Sequence, residues 1–365
     1  MLVSGPISII AGRLSDRYGP RLLVTASGIV TGGAFLLMSQ VDALWQFYLV
    51  YGVAVAIGGG GCVVPVTSTI PRWFERRRGA ALGLTWTGIG LGGVIAPVLT
   101  QWLISGYSWR VAYAVIGTVN IIVVTALAQA LKRSPREMGL APYGDTARQQ
   151  TGEEPAAAEG LSFGEAVRTG RFWMLGLVMF CFVFTVQVMM AHIAPHAVDV
   201  GVSATLAASV VSIYAATSLI GRNLAGFISD RVGSPLALVF HLTAMALALA
   251  WLLFSREVWA FYFFAVVYGV AYGGVVPLQT LLTGELFGLR FLGTIMASLM
   301  LLASVGGALG APLAGTIFDV TGSYQTAFIT CLTLVALAII LGVLLLRAGK
   351  GQQGPDSQQK GTGAL

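Results

Sequence analysis

Charged side chains are what this chain of 365 residues has least of: Asp, Glu, Lys and Arg make up 10% of it, against 56% hydrophobic residues. A soluble domain of this length needs a far more polar surface. The mean hydropathy of +0.82 therefore excludes a soluble globular protein and points to an integral membrane one. Cysteine is nearly absent, and Cys62, Cys181 and Cys331 stand singly inside apolar segments without metal or disulfide spacing, so they read as packing residues. Histidine is equally sparse. His192 and His196 have the helical spacing of a metal pair, but no carboxylate or third histidine joins them, so neither a metal nor another cofactor is expected. HExxH, GxSxG and paired carboxylates within the apolar segments are all missing, which argues against an enzyme of the intramembrane hydrolase kind. A cleavable leader is not expected either, because Met1 to Ala11 lacks a basic start and runs straight into a charged loop.

What the chain does have is a succession of long apolar stretches. They run roughly over 22–39, 44–70, 79–104 and 109–131, and resume over 171–198, 203–228, 235–254, 258–283, 291–318 and 324–346. Each is long enough for a membrane helix, for which about 20 residues are needed. With a partial apolar segment before residue 12 they make eleven spans of an all-α membrane protein. The organisation expected is a first helical bundle over 1–131, a polar connector over 132–170, a second bundle over 171–347 and a disordered tail over 348–365. Of the 21 Lys and Arg residues, 18 fall on alternate loops, the connector and the tail, on the side of Asp16; only Arg110 and Arg256 fall on the other side. The positive-inside rule puts the basic side, with connector and C-terminus, in the cytoplasm. The net charge of +6 thus fixes orientation in the bilayer of the cell (inner) membrane and is no sign of nucleic-acid binding.

The two bundles carry copies of one pattern. Gly12–Arg21 (GRLSDRYGPR) recurs in Gly226–Gly233 (GFISDRVG): Gly12, Asp16, Arg17 and Gly19 return as Gly226, Asp230, Arg231 and Gly233, an offset of 214. Ala96-Pro97 returns as Ala311-Pro312, and the glycines Gly88, Gly90, Gly92 and Gly93 are echoed by Gly306, Gly307 and Gly310, which reads as close helix packing. The motif Gly12, Leu14, Asp16, Arg17, Gly19, Arg21 resembles the loop after the second span in transporters of the major facilitator superfamily. The resemblance implies a major facilitator fold of two pseudo-symmetric helical bundles with twelve spans. On that fold Met1 is expected inside the second span, with the first span missing through a start-site error or a truncation. The connector residues Pro135, Met138, Gly139, Leu140 and Pro142, and the loop Trp73–Gly79, resemble the branch of bacterial monocarboxylate transporters and oxalate/formate antiporters.

Arg222 is the sharpest candidate for a substrate contact. It lies eight residues before Asp230, so a helix carries it about 12 Å into the bilayer, where a guanidinium must face a cavity or a partner. Its repeat mate is Ser8, so internal symmetry does not call for the charge. Arg222 stands four residues before Gly226, as does the arginine that binds the substrate carboxylate in the monocarboxylate branch, and a planar fork suits a carboxylate. The aspartate that animal members carry four residues earlier is Ser218 here, and the span over 291–318 has no lysine, so one carboxylate fits better than two. Further substrate contacts expected are His192, which could also carry a proton, Tyr214, Tyr268 and Tyr272. Gly12, Asp16, Arg17, Gly19, Arg21, Asp230 and Arg231 are assigned to gating, since a carboxylate there can meet a helix N-terminus or an arginine of 72–78 and favour one of two states. The function expected is alternating-access transport of small monocarboxylates by a monomer, with a proton moving alongside. Alternatives are an organic-anion antiporter, an exporter of another small compound, or a non-transporting membrane sensor.

Overall fold

The structure is a computed structural model and describes residues 4–144 and 160–350. Residues 145–159 of the connector and 351–365, most of the expected disordered tail, lie outside the described residues; 348–350 continue the last helix. A helix pairs all its backbone groups internally, which lipid requires, and the apolar stretches accordingly fold as helices. They are α1 (Ser4–Tyr18), α2 (Pro20–Met38), α3 (Leu44–Trp73), α4 (Arg78–Gly106), α5 (Trp109–Ala128), α6 (Gly170–Asp199), α7 (Ala204–Val232), α8 (Ser234–Leu252), α9 (Val258–Phe287), α10 (Leu292–Thr321) and α11 (Gln325–Lys350). Ten of these, α2 to α11, are long and apolar enough to cross a membrane. The α3 span is interrupted by a π-helical segment, Val50–Val55, and by a turn at Gly61 and Cys62.

Short polar signals set the helix ends. Ser108 and Thr169 accept N–H bonds from Val111 and Phe172 at the starts of α5 and α6. Ahead of α6 a short helix, Phe163–Val167, opens on a capping box between Ser162 and Glu165. The Ser162 backbone N–H, then its hydroxyl, hold the Glu165 carboxyl below its usual range. Gly19 and Gly233, at φ 84° and 88°, make the turns from α1 into α2 and from α7 into α8. Each follows the same bond, Gly19 N–H to the Ser15 carbonyl and Gly233 N–H to the Ser229 carbonyl, both 2.9 Å. Positive φ is cheap only for glycine, which explains why the repeat keeps one there.

The bundles meet at the basic end through two crossings related by the same offset of 214. α1 crosses α10 where a Cβ on Gly12 would lie 2.4 Å from the Gly293 carbonyl oxygen; α7 crosses α4 where a Cβ on Gly226 would lie 2.3 Å from that of Gly79. Each crossing is clamped by a carboxylate. Asp16 accepts the backbone N–H groups of Gly293 (3.3 Å) and Thr294 (2.8 Å) at the start of α10. Asp230 accepts those of Gly79 (2.9 Å) and Ala80 (3.1 Å) at the start of α4. Free N–H groups and the positive end of the helix dipole make a helix N-terminus a natural partner for a carboxylate. The clamps differ in strength. Asp16 is buried and also accepts the Thr294 hydroxyl and an ion pair from Arg72, both at 2.8 Å, whereas Asp230 is exposed. Both clamps engaged means that the basic end is closed.

Breaking a buried, paired charge costs about 3 kcal/mol or more, and an exposed charge-assisted contact about 1 kcal/mol. Asp16→Asn is therefore expected to open the basic end far more often than Asp230→Asn. A cysteine at Thr67, fully buried against Met296 of the other bundle, reports this through its labelling rate with a water-soluble maleimide. Equal rates in the two variants would contradict the ranking.

Candidate functional site

Above the clamps the bundles are also linked at Arg222. α7 ends at Val232, ten residues on, so Arg222 stands about 15 Å inside, half the thickness of a hydrocarbon core. It is 7% exposed. Its Nη1 donates to the carbonyl of Trp86 on α4, and its Nε is buried without a hydrogen-bond partner. The guanidinium lies against α4 because residue 90 is glycine: a Cβ there would sit 2.5 Å from Nη1 and 2.2 Å from Leu219 Cδ2. One residue on, the Asn223 amide donates to the Thr87 hydroxyl at 2.8 Å. Trp86, Thr87 and Gly90 thus form one strip of α4 facing α7.

The tyrosines come together on the opposite-end side of Arg222. Tyr214 packs edge-on against Tyr268 and Tyr272, with centroids 6.0 and 6.1 Å away; Tyr268 and Tyr272 stack at 6.5 Å, and Phe182 of α6 stacks on Tyr272 at 6.0 Å. α7 and α9 approach closely enough for this because Gly269 and Gly273 lie against the backbone of Tyr214 and Ser218. Tyr268 is fully buried and its hydroxyl has no partner. Ser218 donates back to the Ala215 carbonyl.

His192 lies elsewhere. It stands 22 residues into α6 from the basic end, about 18 Å farther along the bundle than Arg222. Its Nε2 is 2.9 Å from the Ala311 carbonyl and its Nδ1 3.3 Å from the Tyr324 hydroxyl. A carbonyl only accepts, so Nε2 carries a proton and donates to Ala311. His196 turns its ring to Tyr324 and Phe328. A cavity of about 210 Å³ lies beside them, lined among others by His196, Asp199 and Arg256. A second cavity of about 190 Å³ sits at the basic end, against Glu75, Asp230 and Glu285. Arg222 lines neither.

Of the residues that the sequence assigned to gating, Gly12, Asp16 and Asp230 reach the other bundle, and Gly19 turns the chain. Arg17 lies over the Tyr18 ring at 5.2 Å, Arg21 donates to the Gln129 amide oxygen of its own bundle, and Arg231 is exposed. The glycine echo is only partly a packing device. Gly306 and Gly310 press on the Phe180 and Phe184 backbone, but around Gly88, Gly92 and Gly93 an added Cβ meets nothing within 4 Å. The contacts that sequence reasoning missed are the Trp86 carbonyl and Thr294. A backbone acceptor has no residue signature, and a lone threonine in an apolar helix carries no positional signal.

Gly90→Ala is expected to displace the guanidinium or Leu219 and to cost about 1–3 kcal/mol of overpacking. Gly92→Ala should leave thermal stability unchanged or slightly raised. Melting of the two purified variants checks this, and equal losses would contradict the placement of Arg222.

The chain matches the sequence profile of the Major Facilitator Superfamily over residues 1–233 and again over 175–364, overlapping matches that together span both bundles. It is similar to monocarboxylate transporter 13 of Bos taurus, with 28% identity over 325 residues, 88% of this chain and 72% of that one. It is likewise similar to the MFS transporter asaE of Aspergillus flavus, with 30% identity over 352 residues, 95% of this chain and 72% of the other. Among solved structures, the E. coli fucose:proton symporter superposes with a TM-score of 0.71 at 18% identity, over 93% of this chain and 87% of that one, a likeness of fold. With the twin crossings and the repeat, these matches make the chain a member of the Major Facilitator Superfamily, a multi-pass membrane transporter and not an enzyme.

Proposed function

We propose that this transporter carries small monocarboxylates by alternating access, with Arg222 as the counter-charge of the substrate carboxylate. The observation that carries the reading is Arg222 itself: a buried guanidinium, held at the bundle interface by one backbone carbonyl and with its Nε unpartnered. A permanent cation in that setting needs an anionic partner, and a transported carboxylate supplies one. The similarity to a protein named monocarboxylate transporter supports the same substrate class. Tyr272, half-buried, offers an aromatic face on the side from which substrate arrives while the basic end is closed, with the buried Tyr214 and Tyr268 packed against it. His192, about 18 Å farther along the bundle, is too distant to share a small ligand with Arg222. The Lys and Arg distribution supports a basic end that faces the cytoplasm. One proton moving with one carboxylate makes the step electroneutral, which is the coupling we expect.

The test is uptake of labelled lactate and pyruvate into vesicles, with and without an inward proton gradient. Uptake that rises with the gradient and falls about 30-fold in Arg222→Gln is expected, the loss of about 2 kcal/mol for hydrogen bonds to a charged group. Uptake unchanged by the substitution would reduce Arg222 to a structural residue, and no response to the gradient would contradict proton coupling.

A further inference from the structure

Membrane interiors offer no water to a stranded hydrogen-bond donor, so a buried N–H without an acceptor there is costly. Two such donors sit on residues that touch across the bundle interface. The Nε of Arg222 has no partner, and neither has the Nε1 of Trp86, the residue whose carbonyl accepts Arg222 Nη1. Both side chains are more than nine-tenths buried. An indole N–H and a guanidinium can only donate. A ligand that satisfies both must therefore be an acceptor, which a carboxylate is and an ammonium is not. Trp86 lies on the strip of α4 that also presents Thr87 to Asn223 and Gly90 to the guanidinium, so the backbone of residue 86 is held beside Arg222.

We infer that the Trp86 indole N–H is a second donor to the substrate carboxylate, contributed by the first bundle where Arg222 is contributed by the second. An anion held by both ties α4 to α7, so occupancy of the site is linked to the relative position of the bundles. This rests on the carboxylate reading above. A tryptophan that only packs would serve as well with a phenyl ring in its place, which separates the two roles.

The full chain reconstituted in liposomes, with pyruvate and lactate uptake measured over a range of concentrations, supplies the test. Trp86→Phe is expected to raise KM about tenfold while Vmax stays within about twofold, as for loss of one hydrogen bond to a charged group. Where Phe also lowers thermal stability, Trp86→His, which keeps a ring N–H, decides. Recovery of KM toward the original supports the assignment, and no improvement over Phe overturns it. Wild-type KM in Trp86→Phe beside an inactive Arg222→Gln overturns the role of Trp86 alone. Unimpaired Arg222→Gln, or no uptake of either acid by the unaltered chain, overturns the carboxylate reading and this assignment with it.

Discussion

A carboxylate set against the N-terminus of a helix in the other bundle is the interaction on which the rest of this structure depends. Asp16 holds the first N–H groups of α10, and Asp230 those of α4. The apolar faces of two membrane bundles gain little from meeting each other, since lipid is as apolar as they are. The polar contacts at the basic end, and the glycines that let the backbones close on them, therefore set how the bundles sit. Such a contact suits a two-state element. It is strong when engaged in a dry crossing, and each partner finds water as a substitute when the crossing opens.

The internal symmetry is broken at two places that bear on the bundle interface. Arg72 pairs with Asp16, while Leu286, its mate at the offset of 214, brings no charge to Asp230. The first crossing is therefore the firmer one, and the second the one that yields. Arg222 is the other departure. Its mate Ser8 donates to the Gly60 carbonyl within its own bundle, whereas Arg222 donates across to the other bundle, so the internal repeat does not call for the guanidinium. It also lies on the helix pair α4 and α7 that the Asp230 clamp joins about two turns below.

Much of this was legible in the sequence because the chain is so apolar. Against that background GRLSDRYGPR and its echo stand out, and the repeat, the spans and the pairing of Asp16 with an arginine of 72–78 or a helix N-terminus follow from charge placement and spacing. Arg222 was legible for the same reason. What was not legible lay in backbone and shape. The Trp86 carbonyl, the closeness of Gly90 to the guanidinium and the emptiness around Gly88, Gly92 and Gly93 depend on how two helices are rotated, which a glycine count does not encode. The three tyrosines cluster on α7 and α9, whereas His192 lies at the far end of α6, where its partner Tyr324 comes from a segment 132 residues away.

The claim most central to this account is that the closed basic end is one of two states which substrate interconverts. Distance measurement between spin labels at Tyr18 and Arg290, exposed positions of the two bundles at that end, tests it directly in liposomes with and without pyruvate. The account predicts a short distance matching the closed crossings and a second, longer one, with pyruvate changing their proportions. A single distance that pyruvate leaves unaltered would contradict it.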